Sequence, residues 1–207
     1  MLRPLRACPG TLRILIPALL GSVLPGCRDL QDKVPILAPE AFCAPARVET
    51  IDCTIDGDTV YVGGCSVGES VRLLGVQAPE IEHPPDPAMC WGDQAWDWLD
   101  ERLAGAQVTL EFDQECLDIY KRTLAWIWLE GDSSDPFSDE LVALDGLGVD
   151  PETETFKVLV NEWLVRAGQA RLYDEGFAQD VRFYDRLELA QSLAELEGLG
   201  LWGACAD

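Results

Sequence analysis

The sequence predicts an α+β domain, a five-stranded barrel accompanied by three helices. Three observations predict it. Short β-branched segments are bounded by turn residues, a helix-periodic segment lies between the third and fourth of them, and two more helical segments follow the last strand. Five short strands with a helix between the third and fourth is the layout of an OB-fold barrel.

Each element has its own signal. "RVETIDCTIDGDTVYVGG" (47–64) holds two β-branched runs split by Asp-Gly, a strong hairpin signal. "ESVRLLGV" (69–76) reads as a third strand, closed by Pro79. The prolines of "IEHPPDPAM" (81–89) rule out regular structure there. "WGDQAWDWLDERLAG" (91–105) reads as a helix: Ala95, Trp98, Leu99 and Leu103 fall at helical spacing and Gly105 stops it. "QVTLEFD" (107–113) and "YKRTLAWIWLE" (120–130) are the fourth and fifth strands, and Trp96, Trp98, Trp126, Trp128 and Trp163 belong to the core or the barrel wall. Residues 131–155, rich in acids, Gly and Pro, read as an inserted surface loop. "FKVLVNEWLVRAGQ" (156–169) reads as the second helix, with Gly168 at its C-terminus, and 178–198 as the third.

The N-terminus reads as a leader rather than as part of the fold. Arg3, Arg6 and Arg13 precede the apolar stretch "ILIPALLGSVL" (14–24), which is too short to span a bilayer and has the shape of a secretory signal. It ends in "LPGC", which resembles the lipobox of bacterial lipoproteins. The expectation is a signal peptide over 1–26, a lipidated Cys27, a Pro-rich tether over 27–46 and a domain over 47–207. That places the protein outside the cytoplasm, held to the envelope membrane by a lipid anchor; an ordinary signal peptide with an unmodified Cys27 is the alternative. Six further cysteines, Cys43, Cys53, Cys65, Cys90, Cys116 and Cys205, are an even number in an exported chain and suggest three disulfides, with 15 possible pairings. No CxxC pair and only one histidine, His83, argue against zinc or a redox motif.

With 15 basic and 37 acidic residues the chain carries a net charge of −22, and loss of the leader arginines would make it more acidic still. Such a field favours solubility and opposes polyanions at long range.

Four motifs stand in order along the chain: "IDGDTV" (55–60), "VRLLGVQAPE" (71–80), "DIYKRTLAWIWL" (118–129) and "VNEWLVRAGQARLY" (160–173). Through them residues 47–203 resemble the staphylococcal nuclease (thermonuclease-like) family. The resemblance implies a monomeric, calcium-dependent phosphodiesterase acting on single-stranded DNA or RNA. It places two phosphate-binding arginines at Arg72 and Arg122, the candidate general base at Glu80, and metal ligands at Asp58, Gln77 and the main-chain carbonyl of Ala78. Tyr120 falls on an aromatic position near the nucleotide.

These residue types suit those roles. A guanidinium is planar and can donate to two phosphate oxygens at once. Preorganised charge facing the oxygens that gain charge is usually the largest catalytic term. A carboxylate can deprotonate water within hydrogen-bond reach, and calcium takes oxygen ligands. Outside such a set an arginine in a strand is more often a structural ion pair, Asp56 and Asp58 could serve only the turn at Gly57, and Tyr120 could be structural. From the barrel layout, Cys90–Cys116 is the expected disulfide, with Cys43–Cys205 and Cys53–Cys65 completing the set.

Two features depart from the family pattern. Gln77 stands where an aspartate is usual, and an amide is a weaker calcium ligand than a carboxylate. Lysines, the usual phosphate binders, are few: Lys33, Lys121 and Lys157. An inactive OB-fold binding module in the envelope, or a structural envelope protein using residues 131–155 as an interaction loop, are the alternatives to an enzyme.

Overall fold

A computed structural model of the chain describes residues 42–174 and 181–205. The leader, Cys27 and the tether as far as residue 41 lie outside the described residues.

β1 (Arg47–Asp56) and β2 (Thr59–Val62) form the hairpin that the Asp-Gly pair predicts. Gly57 is required there for close approach: a Cβ on it would lie 2.6 Å from the Cβ of Ala78 and 2.9 Å from that of Ala95. β2 pairs antiparallel with β3 (Glu69–Leu73), setting Thr59 opposite Arg72. The strand expected over 69–76 is broken in two. Gly75 takes φ +71°, which reverses the chain after Leu74, and a short β4 (Val76–Gln77) follows. α1 (Gly92–Leu103) buries Ala95, Leu99 and Leu103.

β5 (Gln107–Glu111) pairs with β1, and β6 (Thr123–Asp132) pairs with β5. β6 also runs parallel to β3, so the circuit β1-β2-β3-β6-β5 closes a five-stranded barrel. Its interior holds fully buried Ile51, Val60, Val71, Leu110 and Ile127. Trp126 and Trp163 are also fully buried, whereas Trp96, Trp98 and Trp128 are partly exposed.

Three further expectations about elements need correction. β6 begins at Thr123 rather than at 120, because the Asp118 N–H bonds the Arg122 carbonyl at 3.0 Å and closes a turn there. The segment 131–155 is not a bare loop. It contains α2 (Ser138–Ala143), whose Leu141 is fully buried, and β7 (Val149–Asp150). The helix expected over 156–169 begins as a strand: β8 (Thr155–Leu159) pairs with β6 and β7, burying Phe156 and Val158 while Lys157 faces out. Only α3 (Val160–Arg166) is helical. A short apolar run fits either period, and the free edge of β6 decides. β9 (Arg171–Leu172) pairs with β4, α4 (Tyr184–Glu197) fills most of the expected third helix, and α5 (Leu201–Ala204) follows it; residues 178–180 lie outside the described set.

Asn161, fully buried on α3, joins the helix to the barrel. Its Oδ1 accepts from the Ile127 N–H at 2.9 Å, and its Nδ2 donates to the carbonyls of Leu74 and Ala125 at 2.9 and 3.2 Å.

The disulfides are Cys43–Cys116, Cys53–Cys65 and Cys90–Cys205. The expected Cys90–Cys116 and Cys43–Cys205 pairs are therefore wrong. Cys43 lies beside the end of β5, where its N–H bonds the Asp113 carbonyl at 2.8 Å, and so meets Cys116 rather than the C-terminus. Cys90 meets Cys205 because both flank the turn at 168–169: Trp91 Nε1 donates to Gln169 Oε1 at 2.8 Å, and the Leu201 N–H to the Gly168 carbonyl at 2.8 Å.

Candidate active site

A cleft of about 820 Å³ opens where β3, β4, the segment after Gln77 and the turn before β6 converge. Arg72, Glu80, Arg122, Asp58, Gln77 and Tyr120 all line it. Ala78 does not. It is buried behind the wall, where its N–H donates to Asp58 Oδ2 at 2.7 Å.

Arg72 reaches the cleft from β3, and its register fixes its neighbours. The guanidinium forms an ion pair with Asp58 through Nη1 and donates through Nη2 to the Val76 carbonyl at 2.9 Å and Gln77 Oε1 at 3.3 Å. Gly75 supports this arrangement, since the turn there brings the Val76 carbonyl back toward Arg72. Burial, and after it the positive charge of Arg122, lower the Arg72 pKa to about 10 against the pull of Asp56, Glu80 and Asp118. The group stays charged at neutral pH, in a setting where a bound anion would be favourable.

Arg122 lies in the turn ahead of β6, and Asp118 orients it. Asp118 Oδ1 accepts from the N–H groups of Tyr120 and Arg122, both at 2.9 Å, while Oδ2 accepts from Arg122 Nε at 2.7 Å. Burial pushes the Asp118 carboxyl up, but the hydrogen bonds from Arg122 and Tyr120 and the charge of Arg122 together hold it below its ordinary value. Among the described residues the remaining guanidinium nitrogens of Arg122 have no hydrogen-bond partner, and Tyr120 lies 5.5 Å from the guanidinium by ring centroid. Sequence reasoning gave Asp118 no role. Its signal is an aspartate whose side chain can bond the amide two residues on, a turn former just ahead of the arginine.

Glu80 lines the cleft as an exposed side chain. Among the described residues its carboxylate has no hydrogen-bond or ion-pair partner, which leaves it free for water or substrate. Its main chain is anchored, because the Met89 N–H donates to the Glu80 carbonyl at 2.9 Å.

The oxygen donors suit a hard cation. Asp56 and Asp58 bring carboxylates and Gln77 an amide oxygen to one wall. Burial raises the Asp56 carboxyl above its ordinary pKa even though Arg72 and Arg122 oppose the shift, so a cation there would relieve a desolvated charge. The fit has a limit: Asp58 Oδ2 already accepts from Ala78 and Oδ1 from Thr59, and Arg72 pairs with Oδ1. A cation would share Asp58 with Arg72. Among the described residues no three His, Cys, Asp or Glu side chains form a metal cluster.

The family described as staphylococcal nuclease homologue matches residues 70–204. The chain is 28% identical over 148 residues to a thermonuclease of Staphylococcus hyicus, covering 72% of this chain and 71% of the relative. It is 33% identical over 111 residues to a thermonuclease of Staphylococcus intermedius, covering 52% and 64%. An endonuclease of Bacillus subtilis, YncB, is 26% identical over 154 residues, covering 74% and 60%. The chain thus spans roughly two thirds of the length of these relatives.

Proposed function

We propose that this chain, which belongs to the staphylococcal nuclease homologue family, hydrolyses phosphodiester bonds of single-stranded DNA or RNA in the cleft between Arg72, Glu80 and Arg122. One observation carries the reading: the strand residue Arg72, the loop residue Glu80 and the turn residue Arg122 line a single cleft.

The chemistry follows from their positions. Arg72 and Arg122 donate to the non-bridging oxygens of the phosphate, where charge accumulates as a water oxygen bonds to phosphorus. Glu80 takes the proton of that water. The bond from phosphorus to the departing nucleoside oxygen breaks, and that oxygen takes a proton from solvent. Bound phosphate also relieves the repulsion between the two guanidiniums. Calcium, held by Asp58 and Gln77 with Asp56 beside them, would supply Lewis acidity. With an amide at position 77 it would bind more weakly than with a carboxylate. Gln77→Asp is therefore expected to tighten calcium binding several-fold in calorimetric titration; equal affinity would remove Gln77 from the metal shell.

The test uses the disulfide-bonded chain with single-stranded DNA and RNA, in calcium or in chelator. Calcium-dependent cleavage that is lost in Arg72→Ala and Arg122→Ala supports the reading. No cleavage at any calcium concentration, or cleavage indifferent to both substitutions, overturns it. The engagement of both Asp58 oxygens by the protein itself favours one competing reading, a binding module without turnover. That module would bind oligonucleotide and release no product.

We also propose that the protein is exported and lipid-anchored at Cys27. The three disulfides support an oxidising compartment. Metabolic labelling with a fatty-acid analogue should mark the wild type and not Cys27→Ser; labelling of neither would remove the anchor.

A further inference from the structure

Glu80 faces the cleft with no side-chain partner among the described residues, so its place depends on its main chain. That main chain rests on the start of α1. The Met89 N–H donates to the Glu80 carbonyl at 2.9 Å, and the Gly92 N–H donates to the Met89 carbonyl at 3.0 Å. Gly92 lies directly against Glu80: a Cβ on it would come within 2.2 Å of the Glu80 carbonyl oxygen. Any shift of residues 89–92 therefore moves Glu80.

Trp91 holds those residues in place. It caps α1 without a side-chain capping bond and keeps a left-handed backbone at φ +74°, uncommon for a residue with a side chain. Its ring offsets that strain, packing against the core and donating through Nε1 to Gln169 Oε1 at 2.8 Å. Gln169 is itself buried and fixed: its N–H bonds the Leu164 carbonyl at 2.9 Å and its Nε2 the Ala167 carbonyl at 3.2 Å. The Cys90–Cys205 disulfide attaches the same segment at a second point. One attachment leaves a segment free to swing, and two set its orientation.

Gln169 lies just past α3, which also aligns the two arginine strands. Asn161 of α3 bonds the carbonyl of Leu74, two residues after Arg72, and the main chain of Ala125 and Ile127 on β6, whose first residue follows Arg122. We propose that Gln169, through its bond to Trp91, is a positioning residue that sets Glu80 relative to Arg72 and Arg122, with α3 as the frame common to all three. The inference rests on the nuclease reading above and deepens it. A base must stay within hydrogen-bond reach of its water, and a displacement of roughly 1 Å can cost up to about a hundredfold in rate.

The test uses the intact, disulfide-bonded chain with Gln169→Leu, which removes the acceptor at similar volume. In steady-state cleavage of single-stranded DNA with calcium, kcat should fall about tenfold with KM unchanged. The same substitution in a Glu80→Gln chain should cause no further fall, because the group it positions is already gone. A second readout needs no turnover. Exchange of the Met89 amide hydrogen, followed by NMR, should quicken about tenfold, in line with loss of one hydrogen bond, while that of Ile127 in the barrel keeps its wild-type rate. Trp91→Phe removes the donor and keeps a ring, and it should reproduce both effects. Wild-type kcat or wild-type Met89 exchange in either variant overturns the proposal. So does an equal fall in the Glu80→Gln chain, which would mark a general loss of structure. Faster Met89 exchange in variants of a chain that cleaves nothing would leave the hold on the Glu80 segment standing and overturn the nuclease reading instead.

Discussion

Two arginines of this protein are almost equally buried and sit in opposite surroundings. The side chain of Arg72 is 12% exposed and that of Arg102 is 10%. Arg102 lies within 5.3 Å of the ring centroids of Trp98, Phe137 and Trp163, pairs with Glu140, and donates to the Trp98 carbonyl at 2.9 Å. Glu140 also accepts from the indole N–H groups of Trp98 and Trp163, at 3.2 and 3.1 Å. Among the described residues that environment holds no second cation, and it clips α2 to α1 and α3. Arg72 has oxygens for neighbours, an open cleft beside it and a like charge in Arg122. Burial alone therefore does not tell the two guanidiniums apart; the open cleft and the like charge beside Arg72 do.

The largest expected effect separates the two. Arg72→Ala should lower cleavage roughly 10²–10³-fold, the scale of losing one preorganised donor to a developing anion. Arg102→Ala should leave the rate per folded molecule near wild type. A comparable loss of rate in Arg102→Ala would break the comparison. Read as stability, the ranking reverses. Arg102→Ala strands Glu140 among tryptophans and should cost about 3 kcal/mol, the scale of breaking a buried pair, visible as a lower midpoint in denaturant.

Asp118→Asn, a change at a positioning residue, should have an intermediate effect. A neutral amide holds Arg122 less firmly, so kcat should fall about tenfold with little change in KM, the mark of an interaction made in the transition state. The same residue gives a pH signature. Its folded-state pKa is depressed, so its contribution to stability is present above the unfolded value, near 3.8, and is lost as pH falls through the folded value. Asp118→Asn should abolish that part of the acid-side decline in melting temperature; an unchanged acid limb would refute it.

The smallest effect belongs to Asp56, whose pKa is raised, mainly by burial. The sign is opposite. Its ionised form is disfavoured in the folded state, so its contribution falls as pH rises from the unfolded value through the folded one. Asp56→Asn keeps an oxygen for the Asp58 amide, a bond of 3.0 Å, and should raise the melting temperature slightly at pH 7 but not at pH 3. Stabilisation of equal size at both pH values would show that burial of the charge is not the cause. A stabilised but slower enzyme would sharpen the view that the cleft holds strain for its ligand.

Much of this site was legible in the chain, for physical reasons that differ by residue. Arg72 and Glu80 lie on one short motif, so local spacing carries them. Arg122 and Tyr120 share a second motif, and the turn that aims them is written in Asp118, whose side chain bonds amides two and four residues away. The Phe156–Leu159 run was misread as helix because its pairing partner, β6, lies more than twenty residues back in the chain. The disulfides were misassigned for a related reason. Which cysteines meet depends on contacts such as Gln169 to Trp91, 78 residues apart in sequence.

By itself, then, the sequence determined the barrel strands, the family and the cast of charged side chains, because hydrophobic period, turn residues and motif spacing are local properties. Only the tertiary structure decided which arginine is spent on packing and which faces a cleft, that Ala78 lies behind the wall, and that Leu117 and Ile119 stand in solvent beside Arg122. Those outcomes depend on strand register and on the closure of β3 against β6, where residues fifty positions apart become neighbours.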